Sequence, residues 1–269
     1  MAPTSIPFTK ASACGNDFLL IEFEQVKGTL TDGELAAFTR KICDRHEGVG
    51  ADGVEWIYPS KVADVEIRLI NSDGSEAEIS GNGTRCVAAY VCRSEQKEHI
   101  SILTGAGLKT CVLMRRSEVG YEFEVEMGAA TVGAELTVAL DKDEIHGIPI
   151  SMGNPHYVVF VSRFAEDWRE NAAAIQRNAQ FTQGVNVEMV VVEGRRDLKV
   201  RFFERGAGET QSSGTGSCGA AIAAVNSGRA EFPVQVHAPG GTQIVNQRDN
   251  LIFLRGTARL VCRGEFFIE

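Results

Sequence analysis

One glycine-rich segment occurs twice in this chain, once in each half. The first copy reads Gly74-Ser75-Glu76-Ala77-Glu78-Ile79-Ser80-Gly81-Asn82-Gly83-Thr84-Arg85-Cys86, the second Ala207-Gly208-Glu209-Thr210-Gln211-Ser212-Ser213-Gly214-Thr215-Gly216-Ser217-Cys218. Glu76 matches Glu209, Ser80 matches Ser213, and Gly81-Asn82-Gly83 matches Gly214-Thr215-Gly216. A small-residue run follows each copy. A chain that builds the same turn twice can close two halves over one ligand and present one side chain to each of its faces. A coincidental pair of glycine turns in a single domain is the weaker reading, because the glutamates and the apolar runs match as well.

Most of the chain around these turns reads as strand. Phe18–Ile21, Val65–Ile70, the alternating run within Val112–Met127, Tyr157–Val161, Val187–Val192, Val200–Glu204, Val234–His237 and Leu251–Leu254 carry β-branched and aromatic residues. Glu34–Cys43 and the amphipathic Phe164–Asn178 read as helices. Thr84–Ser94 and Ser217–Ser227 are rich in Ala, Val and Gly, which predicts helices buried on most sides. A buried helix that follows a glycine turn aims its unpaired N–H groups inward, and an anion satisfies them best. The expected class is α+β: two β-rich lobes, 1–134 and 135–269, each around a central helix. The crossover is expected in Glu135–Ile150, and a C-terminal strand is free to cross back.

The bulk properties narrow the function. A net charge of −9 and a pI near 5.2, without a basic cluster, argue against nucleic acid and anionic membranes. No apolar run reaches the roughly 18 residues of a membrane span. Seven scattered cysteines without a CxxC pair argue against a disulfide framework and a structural zinc site. Free thiols and the absence of an apolar leader predict a cytoplasmic protein. The expected partner is a small molecule, with a homodimer as the one protein partner considered.

Neither glycine turn is a GxGxxG or contains GK[ST], which excludes a P-loop and disfavours a dinucleotide. A carboxylate fits better, since neither turn contains a cationic clamp unless Arg85 is one; the alternative for Arg85 is a surface position on the first helical turn. Asn16, Asn71, Asn154 and Asn186 stand at strand ends, either as turn formers or as a set of amides around a polar ligand. Glu204-Arg205 could hold an ammonium and a carboxylate, or form a surface ion pair. His156 is an acid–base candidate, though a lone histidine is more often structural.

Several longer motifs are specific. Asn71-Ser72-Asp73-Gly74-Ser75-Glu76-Ala77-Glu78, Gly81-Asn82-Gly83-Thr84-Arg85-Cys86, Arg205-Gly206-Ala207-Gly208-Glu209-Thr210, Gly15-Asn16-Asp17-Phe18, Gly48-Val49-Gly50-Ala51-Asp52-Gly53 and Gly153-Asn154-Pro155-His156 resemble diaminopimelate epimerase, from about Phe8 to Phe267. The resemblance implies a pseudo-symmetric two-lobe fold with a cleft between the lobes. It also implies interconversion of LL- and meso-diaminopimelate, without cofactor or metal, by two-base transfer of the α-proton. Asn16, Asn71, Asn154, Asn186, Glu204 and Arg205 would hold the substrate. Gly81, Asn82, Gly214 and Thr215 would bind its reacting carboxylate at two helix N-termini.

The departure from the family pattern lies where the chemistry happens. Both proton-transfer positions are cysteines in that pattern and serines here, Ser80 and Ser213. A thiol at a helix N-terminus ionises readily, whereas a serine hydroxyl is a poor base near neutral pH. Cys86 and Cys218 lie one to two turns further on and read as packing residues; Cys14 is nearer to Asn16. Two alternatives stay open: a catalytically silent amino-acid binding homologue, and a sister racemase, epimerase or dehydratase of the proline racemase type.

Overall fold

The computed structural model describes residues 4–95, 97–140 and 143–268. The described residues divide into two compact units, one within 4–125 together with 256–268 and the other within 126–255.

The first unit contains β1 (Thr4–Ala13), β2 (Asn16–Glu22), α1 (Phe23–Val26), α2 (Leu35–Cys43), β3 (Gly53–Tyr58), β4 (Val65–Asn71), β5 (Glu76–Ala77), α3 (Gly81–Glu95), β6 (His99–Thr104), β7 (Gly107–Arg116) and most of β8 (Gly120–Gly128). The last strand, β18 (Leu251–Ile268), supplies its C-terminal part. β18 pairs with β1, and pairing runs on through β2, β3, β4, β6, β7 and β8, which pairs with β18 again. This ring of eight strands is a closed barrel, which leaves no free sheet edge. β2 and β3 are parallel, β3 and β4 antiparallel, β4 and β6 parallel, β6 and β7 antiparallel.

β3 is buried on both faces, and strand alternation sorts its residues. Val54 and Trp56 pack with Leu35, Phe38 and Ile42 of α2, and the residue between them, Glu55, takes the opposite face. α3 is enclosed almost all round; Cys86, Val87, Ala88 and Ala89 have no exposed surface. Small side chains let the strands approach it closely.

The second unit contains β9 (Thr131–Val132), β10 (Leu136–Ala139), β11 (Glu144–Ser151), β12 (Pro155–Phe160), α4 (Trp168–Gln176), β13 (Asn186–Gly194), β14 (Asp197–Glu204), β15 (Gly208–Thr210), α5 (Gly214–Asn226), β16 (Val234–Ala238), β17 (Gly241–Arg248) and the start of β18. β12 and β13 are parallel, β13 and β14 antiparallel, β14 and β16 parallel, β16 and β17 antiparallel. Val187 and Met189 of β13 pack with Trp168, Ala172 and Ile175 of α4. Val190 packs with Ala220–Ala224 of α5, alongside Val158, Val200, Phe202 and Leu254. Alternation places Glu188 on the α5 side.

Several boundaries differ from the sequence expectation. α3 and α5 begin at Gly81 and Gly214, three residues early, because first-turn N–H groups have no intrahelical partner and glycines there break nothing. The run 112–127 is two strands joined by a turn in which Ser117 N–H donates to the Gly120 carbonyl at 2.7 Å. The stretch 135–150 carries β10 and β11, an antiparallel pair, with 141 and 142 outside the described residues. The strand at Leu251 runs on to Ile268, pairing first with β17 and later with β1. α4 is shorter than expected at both ends.

Candidate active site

In each unit the repeated segment makes a short strand, a turn and then the N-terminus of the buried helix. β5 pairs with β4, and β15 with β14. Each serine immediately precedes its helix and acts as its cap. Ser80 Oγ accepts the Gly83 N–H at 3.1 Å, and Ser213 Oγ accepts the Gly216 N–H at 3.1 Å. Helix capping by serine explains both hydroxyl positions locally. Gly81 and Asn82, and Gly214 and Thr215, occupy the two helical positions that follow each cap.

Ser213 has a second role. Its hydroxyl donates to Glu204 Oε1 at 2.7 Å, and the serine is only 4% exposed. Glu204 ends β14, so the strand end and the helix start converge on one proton. Arg205 does not accompany it as a paired charge. Its guanidinium donates to the Gln183 carbonyl at 2.6 Å, and its backbone N–H donates to Asn186 Oδ1 at 2.9 Å. The alternative reading of Glu204 and Arg205 as a surface ion pair gives way to these separate anchorages.

The four asparagines are held in different ways. Asn16 Oδ1 accepts from Asn82 Nδ2 at 2.5 Å, while Asn16 Nδ2 donates to Asp52 Oδ2 at 3.1 Å. Asn82 Oδ1 accepts from Arg85, which also reaches the Thr257 carbonyl and Cys14 Sγ. Arg85 is fully buried and anchors this chain from inside. The surface reading of Arg85 is therefore corrected: Gly81 at the start of α3 is partly open, but Arg85 lies on a packed face of the helix and has no exposed surface. Asn71 forms a local turn, donating to Ser75 Oγ at 3.0 Å. In the second unit Asn186 Nδ2 donates to the Pro155 carbonyl at 3.1 Å, and Asn154 Nδ2 donates to Thr215 Oγ1 at 3.3 Å. The matched glutamates lie outside these networks: Glu76 is paired with Arg68, and Glu209 with Arg169.

His156 is buried, with Nδ1 2.7 Å from Glu188 Oε1 and Nε2 3.0 Å from Asn154 Oδ1. It links the buried carboxyl to the amide that reaches Thr215. Burial pushes the Glu188 carboxyl above its ordinary range, and His156 partly offsets this. Glu55 has no such relief. It is fully buried, both oxygens lack a hydrogen-bond partner, and burial raises its pKa to about 8. Motif reading missed both acids. The available signal was a carboxylate inside an apolar strand run, Val54-Glu55-Trp56-Ile57 and Val187-Glu188-Met189-Val190.

Glycine is required where these acids meet the helices. A Cβ on Gly83 would lie 1.8 Å from Glu55 Oε1, and one on Gly216 would lie 2.7 Å from Glu188 Oε1. Cys86 and Cys218 are buried in the helix bodies, and burial pushes the Cys86 thiol up, as expected for packing residues. Among the described residues no cluster of three or more His, Cys, Asp or Glu side chains is placed to hold a metal ion. No described helix is long and apolar enough to cross a membrane.

The resemblance carried by these motifs extends over most of the chain. The diaminopimelate epimerase family model matches residues 8–133 and 148–261. The chain belongs to the diaminopimelate epimerase family. A diaminopimelate epimerase from Desulfitobacterium hafniense is 37% identical over 276 residues, covering 95% of this chain and 96% of that one. One from Caldanaerobacter subterraneus subsp. tengcongensis is 36% identical, covering 97% and 99%.

Solved structures share the fold of this epimerase family member at low identity. A phenazine biosynthesis protein of the PhzF family from Bacillus anthracis aligns with a TM-score of 0.76 at 18% identity, covering 98% of this chain and 100% of that one. A hydroxyproline epimerase from Agrobacterium vitis aligns at 0.71 and 14%, covering 99% and 92%.

Proposed function

We propose that this chain is an isomerase that interconverts LL- and meso-diaminopimelate by moving the α-proton between two faces of one carbon. Family membership across nearly the full length supports the activity. The observation that carries the site assignment is that Ser80 and Ser213 cap two buried helices in the same way. The recurring order of parallel and antiparallel pairs, β2-β3-β4-β6-β7 and β12-β13-β14-β16-β17, supports a pseudo-symmetric origin for the two units.

The α-proton of an amino acid is very weakly acidic, so its removal needs the developing negative charge to be stabilised. Backbone N–H groups at Gly81, Asn82, Gly214 and Thr215 are suited to this, because they carry the positive ends of helix dipoles. Asn16, Asn71, Asn154, Asn186, Glu204 and Arg205 are the substrate-holding set in this reading. Epimerisation in this reading requires proton loss at one face of the α-carbon and return at the other.

A serine alone is a weak base, and Glu204 answers part of that deficit. Placed 2.7 Å from Ser213 Oγ, it can receive the hydroxyl proton while the oxygen takes the α-proton. Ser80 then donates its hydroxyl proton at the opposite face, and release of the proton from Glu204 to water with uptake of one at Ser80 restores the starting state. The experiment is proton NMR in deuterium oxide with LL-diaminopimelate. Loss of the α-proton signal with growth of the meso isomer is expected, and no exchange at high enzyme concentration overturns the catalytic reading.

A silent binding protein is the second reading, favoured by one observation: both hydroxyls already serve as helix caps. Calorimetry separates the two, since heat of binding without any exchange supports the silent form.

A further inference from the structure

Glu55 is not used by the chemistry above, yet its position is the most demanding in the first unit. A carboxyl with no exposed surface and no hydrogen-bond partner is costly to fold around. Its Oε1 occupies the space beside Gly83 where any side chain would sit, and the Ser80 Cβ is 3.3 Å from that same point. The carboxyl therefore lies directly beneath the first turn of α3, behind the serine that caps it.

The surroundings leave its charge uncompensated. Its register partners are Leu20 on β2 and Leu69 on β4, neither of which titrates. From α3 the titratable neighbour is Cys86, whose thiol burial holds protonated. Arg85, on the same helical turn, is engaged with Asn82, Thr257 and Cys14. The second unit makes the contrast: Glu188, at the matching place beneath α5, has His156 at 2.7 Å.

We propose that Glu55 is a positioning acid for anion binding at the α3 turn: neutral, it leaves the helix N-terminus free to hold a carboxylate, and ionised, it cancels that hold. A negative charge beneath the turn repels the ligand and competes for the same N–H dipoles. Ligand binding must then favour the neutral form, so binding near the titration point takes up a proton. Burial, which holds this acid neutral up to about pH 8, sets where the effect appears. This role rests on the functional reading above, because it assumes that the α3 turn receives the substrate carboxylate.

The test is titration calorimetry of the full chain with meso-diaminopimelate from pH 7 to 10, beside Glu55→Gln and Glu55→Leu. Each is measured in two buffers of different ionisation heat. The expected result is a loss of affinity in the wild-type protein above pH 8 that exceeds the loss in either variant by roughly tenfold or more. Proton uptake in the wild type near pH 8.5 that both variants lack is the companion signature, and a merely structural role would not produce it. Two variants guard against one failing to fold, and the proton uptake is measurable in the wild type alone. Binding with the same pH profile in all three proteins overturns the role of Glu55 and leaves the functional reading standing. No binding at any pH overturns the functional reading, and this role with it.

Discussion

The hydroxyl of Ser213 donates to Glu204 Oε1 at 2.7 Å while its oxygen accepts the Gly216 N–H at 3.1 Å. One side chain thus caps a helix and shares a proton with an acid. The cap fixes the oxygen at the helix N-terminus, and the strand end at Glu204 supplies the acceptor. In the reaction proposed above, proton transfer at this turn depends on both.

Replacing both serines by cysteine should raise α-proton exchange by about a hundredfold or more, since a thiol at a helix N-terminus ionises far more readily than a hydroxyl. Deuterium incorporation followed by NMR measures this. An unchanged rate in the Ser80→Cys, Ser213→Cys protein would place the chemistry elsewhere.

Glu204→Gln should reduce exchange by at least about tenfold, because an amide cannot take the Ser213 proton. The fall should lie mainly in turnover, with a smaller change in substrate affinity. An affinity loss alone, with kcat kept, would confine Glu204 to substrate holding and remove it from the proton transfer.

Ser213→Ala should destabilise the protein by about 1 kcal/mol through loss of the cap. Chemical unfolding reads it out. Ser80→Ala should behave alike if the two caps are equivalent, and a negligible change at either position argues against capping there.

Gly83→Ala places a methyl on the Glu55 carboxyl and should cost about 1–3 kcal/mol. Combined with Glu55→Ala the cost should be smaller than the sum of the two single changes, because the clash is gone. Strict additivity in this cycle would mean that the two residues do not meet.

Stability should also depend on pH through Glu55. Its pKa is raised from 4.5 to about 8 by burial, so it stays neutral in the folded protein while the unfolded chain ionises it. Its contribution is fully present below pH 4.5 and is lost as pH rises to 8, a loss on the order of 4 kcal/mol. Glu55→Gln removes the titration, so its stability relative to the wild type should grow between pH 4.5 and 8 and then level off. Urea unfolding across that range checks the sign; a constant difference contradicts it.

The two helix-start turns were legible, because residue type and spacing there are specific on their own. Ser80, Gly81, Asn82 and their counterparts Ser213, Gly214 and Thr215 stand out because a turn that must start a buried helix repeats in linear order. The separate anchorages of Glu204 and Arg205 were not legible. Their side chains leave the strand end in different directions, one to Ser213 and the other to Gln183.

By itself the sequence determined the family, the two helices enclosed by strands and the two serines at their starts, since these follow from local pattern and ordered motifs. Tertiary structure alone decided that β18 is 18 residues long and pairs with both β17 and β1. It also decided that Arg85 is interior, and that Glu55 and Glu188 lie beneath the helix turns with only one of them partnered. Burial and partner choice are sums over residues distant in the chain, and no local pattern carries them.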